Sequence, residues 1–236
     1  VLLPIALAIP ASQVTLDSFV NDYTDTLTQS EIQTIEQIGA DLYTKELAEY
    51  AVVIVDSMEG QAIESYSLEI AQGNLGQTDK NNGLLLLVSL EEREYRFEVG
   101  RGVEAELTDA FTGLVGRQIL VPNFQQGEYG KGIIEASVVI RDRLSGNETE
   151  ATRSLYAQQQ QGSKLQNIIG FIIFIGVFIV LLSLRGRKGR GHDADGYFFA
   201  ALAASSLLRG GGGNFGGGFG GFGGGGFGGG GAGGGW

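Results

Sequence analysis

Seventeen consecutive residues, Ile168 to Leu184, carry no charge, and such a run has to be removed from water before the rest of the chain can be placed. At about 1.5 Å per residue it reaches roughly 25 Å as a helix, the short end of what crosses a hydrocarbon core of about 30 Å, and Leu165 to Asn167 extend it. Arg185, Arg187, Lys188 and Arg190 follow at once. Positive charge beside a span stays on the cytoplasmic side, so a single crossing at 165–184 predicts an extracytoplasmic N-terminal domain and a cytoplasmic tail at the cell membrane. A buried helix of a soluble protein explains the apolar run but not its flanks. The opening Val1 to Ala11 reads as the remnant of a signal peptide, with Ala8 and Ala11 as candidate cleavage points. The expected organisation is a signal remnant at 1–11, a domain at 12–150, a linker at 151–164, a transmembrane helix at 165–184, a basic juxtamembrane segment at 185–209 and a tail at 210–236.

Charge divides the same way. Residues 1–164 hold 11 Lys and Arg against 25 Asp and Glu, whereas 165–236 hold 5 against 2. An acidic outer domain repels a phosphate backbone, so nucleic acid is not an expected partner. The chain has no cysteine, which removes disulfides, thiol nucleophiles and thiolate metal sites. Its one histidine, His192, lies beyond the apolar run, so the domain lacks an imidazole for a Ser-His-Asp or Cys-His mechanism and for His-ligated zinc. Phosphate-ester hydrolysis there would have to use a carboxylate-held metal that activates water.

Within the domain, Thr28 and Glu31 form a capping box, stapled by Leu27 and Ile32, and Ile32, Ile35, Ile38 and Leu42 recur on one helical face; the helix is expected to end near Glu49. Ala51 to Val55 is a wholly apolar, β-branched run that predicts a strand covered on both faces. A crossover helix from Ile63 to Gln72 and a strand from Leu84 to Leu90 complete a right-handed βαβ unit. Arg93 to Val99 alternates, with Tyr95, Phe97 and Val99 on one face and Arg96 and Glu98 on the other, and should return antiparallel. Helices from Thr108 to Leu120, stopped by Pro122, and from Glu128 to Leu144 follow. The predicted fold class is α/β, a three-layer α/β/α sandwich on a small mixed sheet.

Gly100, Gly102 and Ala105 have the G-x-G-x-x-A spacing, but the preceding strand is the second arm of a hairpin and Glu104 and Glu106 would repel a pyrophosphate, so no dinucleotide cofactor is expected. Those glycines instead suit a tight exit from the sheet. Residues 210–236 contain twenty glycines, interrupted by Phe215, Phe219, Phe222 and Phe227 and followed by Trp236. So little apolar surface cannot offset the entropy of ordering, which predicts a disordered tail with sparse aromatic contacts. Tyr197 to Leu208 is too short to span and suits an interfacial helix.

FVNDYTDTLTQSE at Phe19 to Glu31, NNGLLLLV at Asn81 to Val88, RFEVGRGVEAELTDA at Arg96 to Ala110 and PNFQQGEYGKGI at Pro122 to Ile133 together resemble the TPM domain proteins, in order and across the whole domain. The succession of domain, apolar run and glycine-rich tail with Trp resembles their YgcG-like membrane-anchored branch. The resemblance implies an α/β/α fold, divalent-cation binding in some members, acid phosphatase activity in the plant branch, and assembly or repair of membrane complexes in others.

With the second strand starting where the third ends, one sheet edge gathers Asp79, Asn81, Asn82, Glu104, Glu106 and Asp109. Oxygen ligands of this kind suit Ca²⁺ or Mg²⁺, and Asp79, Asn81, Asn82, Glu104 and Asp109 are the candidate ligands. Asn81 stands where the family pattern often has Asp, one charge fewer. Thr108 and Asp109 also suit a helix N-terminus, and Asn82-Gly83 an ordinary turn. The expected function is a membrane-anchored assembly, repair or quality-control factor for membrane protein complexes, without catalysis; the alternative is a divalent-cation-dependent acid phosphatase.

Overall fold

The computed structural model describes residues 9–77, 79–147, 153, 155, 171–177 and 227–236. Its sheet starts from β1 (Val20–Asp22), which lies parallel to β2 (Glu49–Val55). The helix between them, α1 (Gln29–Thr44), opens with the expected capping box: Thr28 Oγ1 accepts from Glu31 N at 3.4 Å, and Thr28 N donates to Glu31 Oε2 at 2.8 Å. It stops at Thr44, short of the expected Glu49, because Glu46 turns to φ 56° and the N–H groups of Leu47 and Ala48 both fold back onto the Leu42 carbonyl. That reversal lets β2 begin at Glu49.

β2 leads through α2 (Ile63–Ala71) into β3 (Gly83–Ser89), paired in parallel from Glu49 opposite Gly83 to Val55 opposite Ser89. β4 (Glu94–Gly100) returns antiparallel, from Leu84 opposite Val99 to Ser89 opposite Glu94. Strand directions and the hairpin are as the apolar and alternating runs predict. Burial explains the order: β2 and β3 are covered on both faces, as a wholly apolar strand requires.

One face carries Tyr50, Val52, Ile54, Leu84, Leu86, Val88, Tyr95, Phe97 and Val99 against α1, α3 (Asp109–Val115) and α5 (Tyr129–Leu144). The other carries Ala51, Val53, Val55, Leu85 and Leu87 against α2 and the turn at Ala11–Gln13. The layers are therefore helix, mixed sheet and helix. α3 does not end at Pro122. It widens into a π-helical turn, Gly116–Leu120, in which Val121 N reaches the Gly116 carbonyl, and continues as α4 (Val121–Phe124) with Pro122 in its first turn. Pro122 has no N–H to give to that ladder, and the helix passes it through the widened turn instead of ending.

The largest departure is in the tail. Residues 227–236, expected to be disordered, form β5 (Phe227–Gly230) and β6 (Gly233–Gly235), both antiparallel to β4 on its outer edge. The rest of the expected tail, residues 210–226, lies outside the described residues, as do residues 1–8 of the expected signal remnant and the stretch 185–209; Ala11, the last residue of that expected remnant, is buried in the α2-side core. Of the apolar run, 171–177 are described and are helical. Among the described residues no helix is long and apolar enough to cross a membrane.

Candidate functional site

The outer edge of β4 presents unpaired backbone over a buried core strand, an arrangement that ordinarily invites a further strand. β6 supplies one: Gly235, Gly234 and Gly233 lie opposite Glu94, Tyr95 and Arg96. Phe97 N donates to the Ala232 carbonyl at 2.8 Å and Trp236 N to the Arg93 carbonyl at 3.1 Å. After an irregularity in register, Gly230 faces Val99 and Phe227 faces Gly100. Where the two glycine strands reverse, Gly231 N donates to Asp109 Oδ1 at 2.7 Å, so the carboxylate in the first turn of α3 holds the bend.

Composition follows from this geometry. Gly231 sits at φ 141°, and a Cβ there would fall 1.9 Å from the Phe97 carbonyl oxygen, which is backbone and cannot rotate away. A Cβ on Gly234 would stand 2.9 Å from the Tyr95 hydroxyl, and one on Gly116 only 2.1 Å from it, so that phenol passes between two glycines of different elements. The single alanine of the bend, Ala232, lies where Gly113 leaves room. Trp236 is half-buried, with its ring edge-to-face with Phe124 at 4.8 Å and with Tyr129 at 5.9 Å between centroids; Phe124 and Tyr129 are themselves 5.1 Å apart. Such pairs contribute about 0.5–1.5 kcal/mol each beyond the area they bury. The groove thus reads backbone shape along its length and an indole at its end.

The predicted cation ligands divide between this groove and a neighbouring loop. Asn81, at φ 50°, accepts Gly102 N on its carbonyl at 2.9 Å, and Cβ atoms on Gly100 and Gly102 would fall 2.3 Å from the Asn81 and 1.9 Å from the Lys80 carbonyl oxygens. The G-x-G glycines are there to let two loops touch, as a tight exit from the sheet requires. The side chain of Asn82 is buried and turned inward, its Oδ1 accepting Gln77 N at 3.0 Å. Asp79 is exposed in the preceding turn, Glu104 lies beside Gly230, and Asp109 holds Gly231. Thr108 caps α3 by accepting Phe111 N at 3.3 Å. Among the described residues no group of three or more His, Cys, Asp or Glu is gathered closely enough to hold a metal ion.

Carboxylates elsewhere serve the frame. Glu92, past the far end of β3, accepts from Ser57 Oγ at 2.8 Å, from Met58 N at 3.1 Å and from the Ser89 hydroxyl. Burial alone would raise its pKa, but these donors outweigh it and hold the group below the ordinary carboxylate range. Glu98, only 1% exposed under α2, accepts from Ser67 Oγ at 2.8 Å and from Arg96 through one oxygen, while Oε2 is buried without a partner. Burial raises its pKa in spite of Arg96. A cleft of about 390 Å³ near the start of β2 contains Glu36 and Glu49, each already accepting a backbone N–H, from Val20 and Gly76, at 2.8 Å.

These features define an α/β/α domain whose open sheet edge is built to receive a glycine strand. The TPM domain model matches residues 20–143, more than half of the chain, and the protein belongs to the TPM domain family. The N-terminal domain of a protein from P. gingivalis, solved in solution, is similar at 27% identity and TM-score 0.54, covering 59% of this chain and 93% of that one. The corresponding domain of a protein from Corynebacterium glutamicum is 20% identical with TM-score 0.42, covering 61% of this chain and 88% of that one. No curated protein matches the chain.

Proposed function

We propose that this TPM domain protein, of the YgcG-like kind, is a membrane-attached contact module for the assembly, repair or quality control of membrane protein complexes. The observation that carries this reading is the β4 edge, a binding groove formed by backbone and aromatic rings, complementary to a strand and already engaging one. Ile168–Leu184 is the proposed attachment. A single crossing there would leave residues 227–236 in the cytoplasm, away from the domain with which they pair. Pairing of residues 227–236 with β4 within one chain and a single crossing between them exclude each other, so the side of the membrane on which the glycine strands lie decides between the two.

Divalent-cation binding belongs to the same proposal in a conditional form. In the conformation described, Asp79, Glu104 and Asp109 do not converge, and Asp109 is engaged by Gly231. A Ca²⁺ or Mg²⁺ site made by Asp79, Asn81, Asn82, Glu104 and Asp109 would need the segments that carry them to converge, with Asp109 ligating through Oδ2 or leaving Gly231. Cation and glycine strands then meet at one carboxylate.

The test uses full-length protein in membranes, with a photocrosslinker at Tyr129 and phosphomonoester turnover measured with and without Ca²⁺ and Mg²⁺. A contact module crosslinks to subunits of membrane complexes, more so when Trp236→Ala opens the groove, and shows no cation-dependent turnover. Turnover that needs the cation and disappears in Glu104→Ala would replace this reading with a phosphatase.

A further inference from the structure

We propose that the groove along β4 is an exchangeable peptide site, specific for a glycine strand followed by tryptophan, and that it accepts residues 227–236 of a second copy of this chain. The argument starts from where the contacts lie. Among the described residues, the interactions that seat the strands run between residues 227–236 and a face made by Arg93, β4, Glu104, Asp109, Gly113, Gly116, Phe124 and Tyr129, with α2 beside β5. A second copy presents the same ten residues with the same backbone, so its strand is seated by the same bonds.

Selectivity comes from exclusion as much as attraction. A side chain at position 231 would run into the Phe97 carbonyl, one at 234 into the Tyr95 hydroxyl, and one at 233 would stand 3.0 Å from the Tyr95 carbonyl. At position 232 the alanine Cβ lies opposite Gly113, 3.5 Å from where a Cβ on that glycine would stand. The favoured pattern is therefore glycine at 231 and 234, tight positions at 233 and 235, and a closing tryptophan, which Gly231 to Trp236 supplies. A general hydrophobic peptide fails at the glycine positions, and a generic glycine linker lacks the indole for Phe124 and Tyr129. Exchange joins the groove of one copy to the strand of another, either reciprocally in a swapped pair or onward from copy to copy. Copies attached to one membrane meet at high local concentration, which favours that exchange over the encounter of free molecules.

The experiment mixes two full-length variants in detergent micelles, Gly113→Cys and Ala232→Cys, in a chain that has no other cysteine. The Cβ positions are 3.5 Å apart, at the short end of what a disulfide spans. Mild oxidation is expected to give a two-copy disulfide that increases with protein concentration, is absent from Gly113→Cys alone, and is suppressed by excess synthetic peptide of residues 227–236. A second measurement needs no cysteine. In Trp236→Ala the only tryptophan is that of the added peptide, whose emission should shift to the blue saturably, with affinity about tenfold or more above that for Trp236→Phe, where the chain's own strand still competes. If the double variant Gly113→Cys/Ala232→Cys closes within one copy while the mixed single variants never link, and the peptide binds neither chain, the site belongs to its own strand alone and the proposal is overturned. A peptide carrying Gly234→Val that binds as well as the native one overturns the claimed specificity.

Discussion

Gly231→Ala adds one methyl group and should release two strands. At φ 141° an L-residue pays about 1–3 kcal/mol of backbone strain. Its Cβ would also stand 1.9 Å from the Phe97 carbonyl oxygen, on the residue whose N–H donates to Ala232. Neither partner can move aside without disturbing the pairing of β4. Taking about 2 kcal/mol, inside the strain range, the ratio of seated to released strands falls about thirtyfold. The chain reports on itself, because Trp236 is its only tryptophan. Seated between Phe124 and Tyr129 it should emit to the blue and resist acrylamide; released, it should emit as in water and quench freely. Steady-state emission and Stern–Volmer slopes on full-length protein read the change directly. If Gly231→Ala keeps the blue emission and the shielding of the native chain, the steric account of the groove is refuted.

Two buried or braced carboxylates give opposite pH behaviour. Glu98 has its pKa raised in the folded state by burial, so the folded protein holds that proton longer than the unfolded chain, and stability is lost as pH rises from the unfolded value near 4.3 through the folded one. Glu98→Gln should flatten that fall, seen as thermal midpoints that change less with pH above about 4 than those of the native chain. Glu92 is held low, so its stabilisation is present above the unfolded pKa and disappears as pH drops through the folded value. Glu92→Gln should cost about 1–2 kcal/mol at neutral pH in urea titrations, through its bonds to Ser57, Ser89 and Met58, and the deficit should vanish in acid.

The frame was legible because each element carries its own signal. Thr28 and Glu31 state a helix start in four residues, the apolar runs of β2 and β3 state strands covered on both faces, and the alternation from Tyr95 to Val99 states a return strand. β1 carries no such signal, since three residues give no period to read. The boundary differences have local causes: Glu46 adopts a left-handed turn that its residue type does not advertise, and a π-helical turn at Gly116–Leu120 carries the helix past Pro122. The groove was hidden for a deeper reason. A glycine strand buries little of itself, so its own composition predicts disorder; what orders it is the open edge of β4, the space above Gly113 and Gly116, and two aromatic rings from α4 and α5. The buried alternation of β4 at a sheet edge was the available clue that a covering strand was needed. Asp79, Asn81 and Asn82 precede β3 and Glu104 and Asp109 follow β4, but the loop contacts, the inward amide of Asn82 and the hold of Asp109 on Gly231 involve partners that spacing does not disclose.

The most direct measurement is an intramolecular disulfide between Gly113→Cys and Ala232→Cys in the full chain, expressed in membranes and oxidised before extraction. Their Cβ separation of 3.5 Å suits the bond, and the nearest side-chain obstacle, Arg117 Nη1 at 3.0 Å, is the flexible end of a long chain. A chain folded as described, with its glycine strands on the domain's side of the membrane, should form the link in good yield and migrate faster on non-reducing gels. A domain that is folded, with both cysteines reactive to maleimide from opposite sides of the membrane and no link formed, would contradict the account.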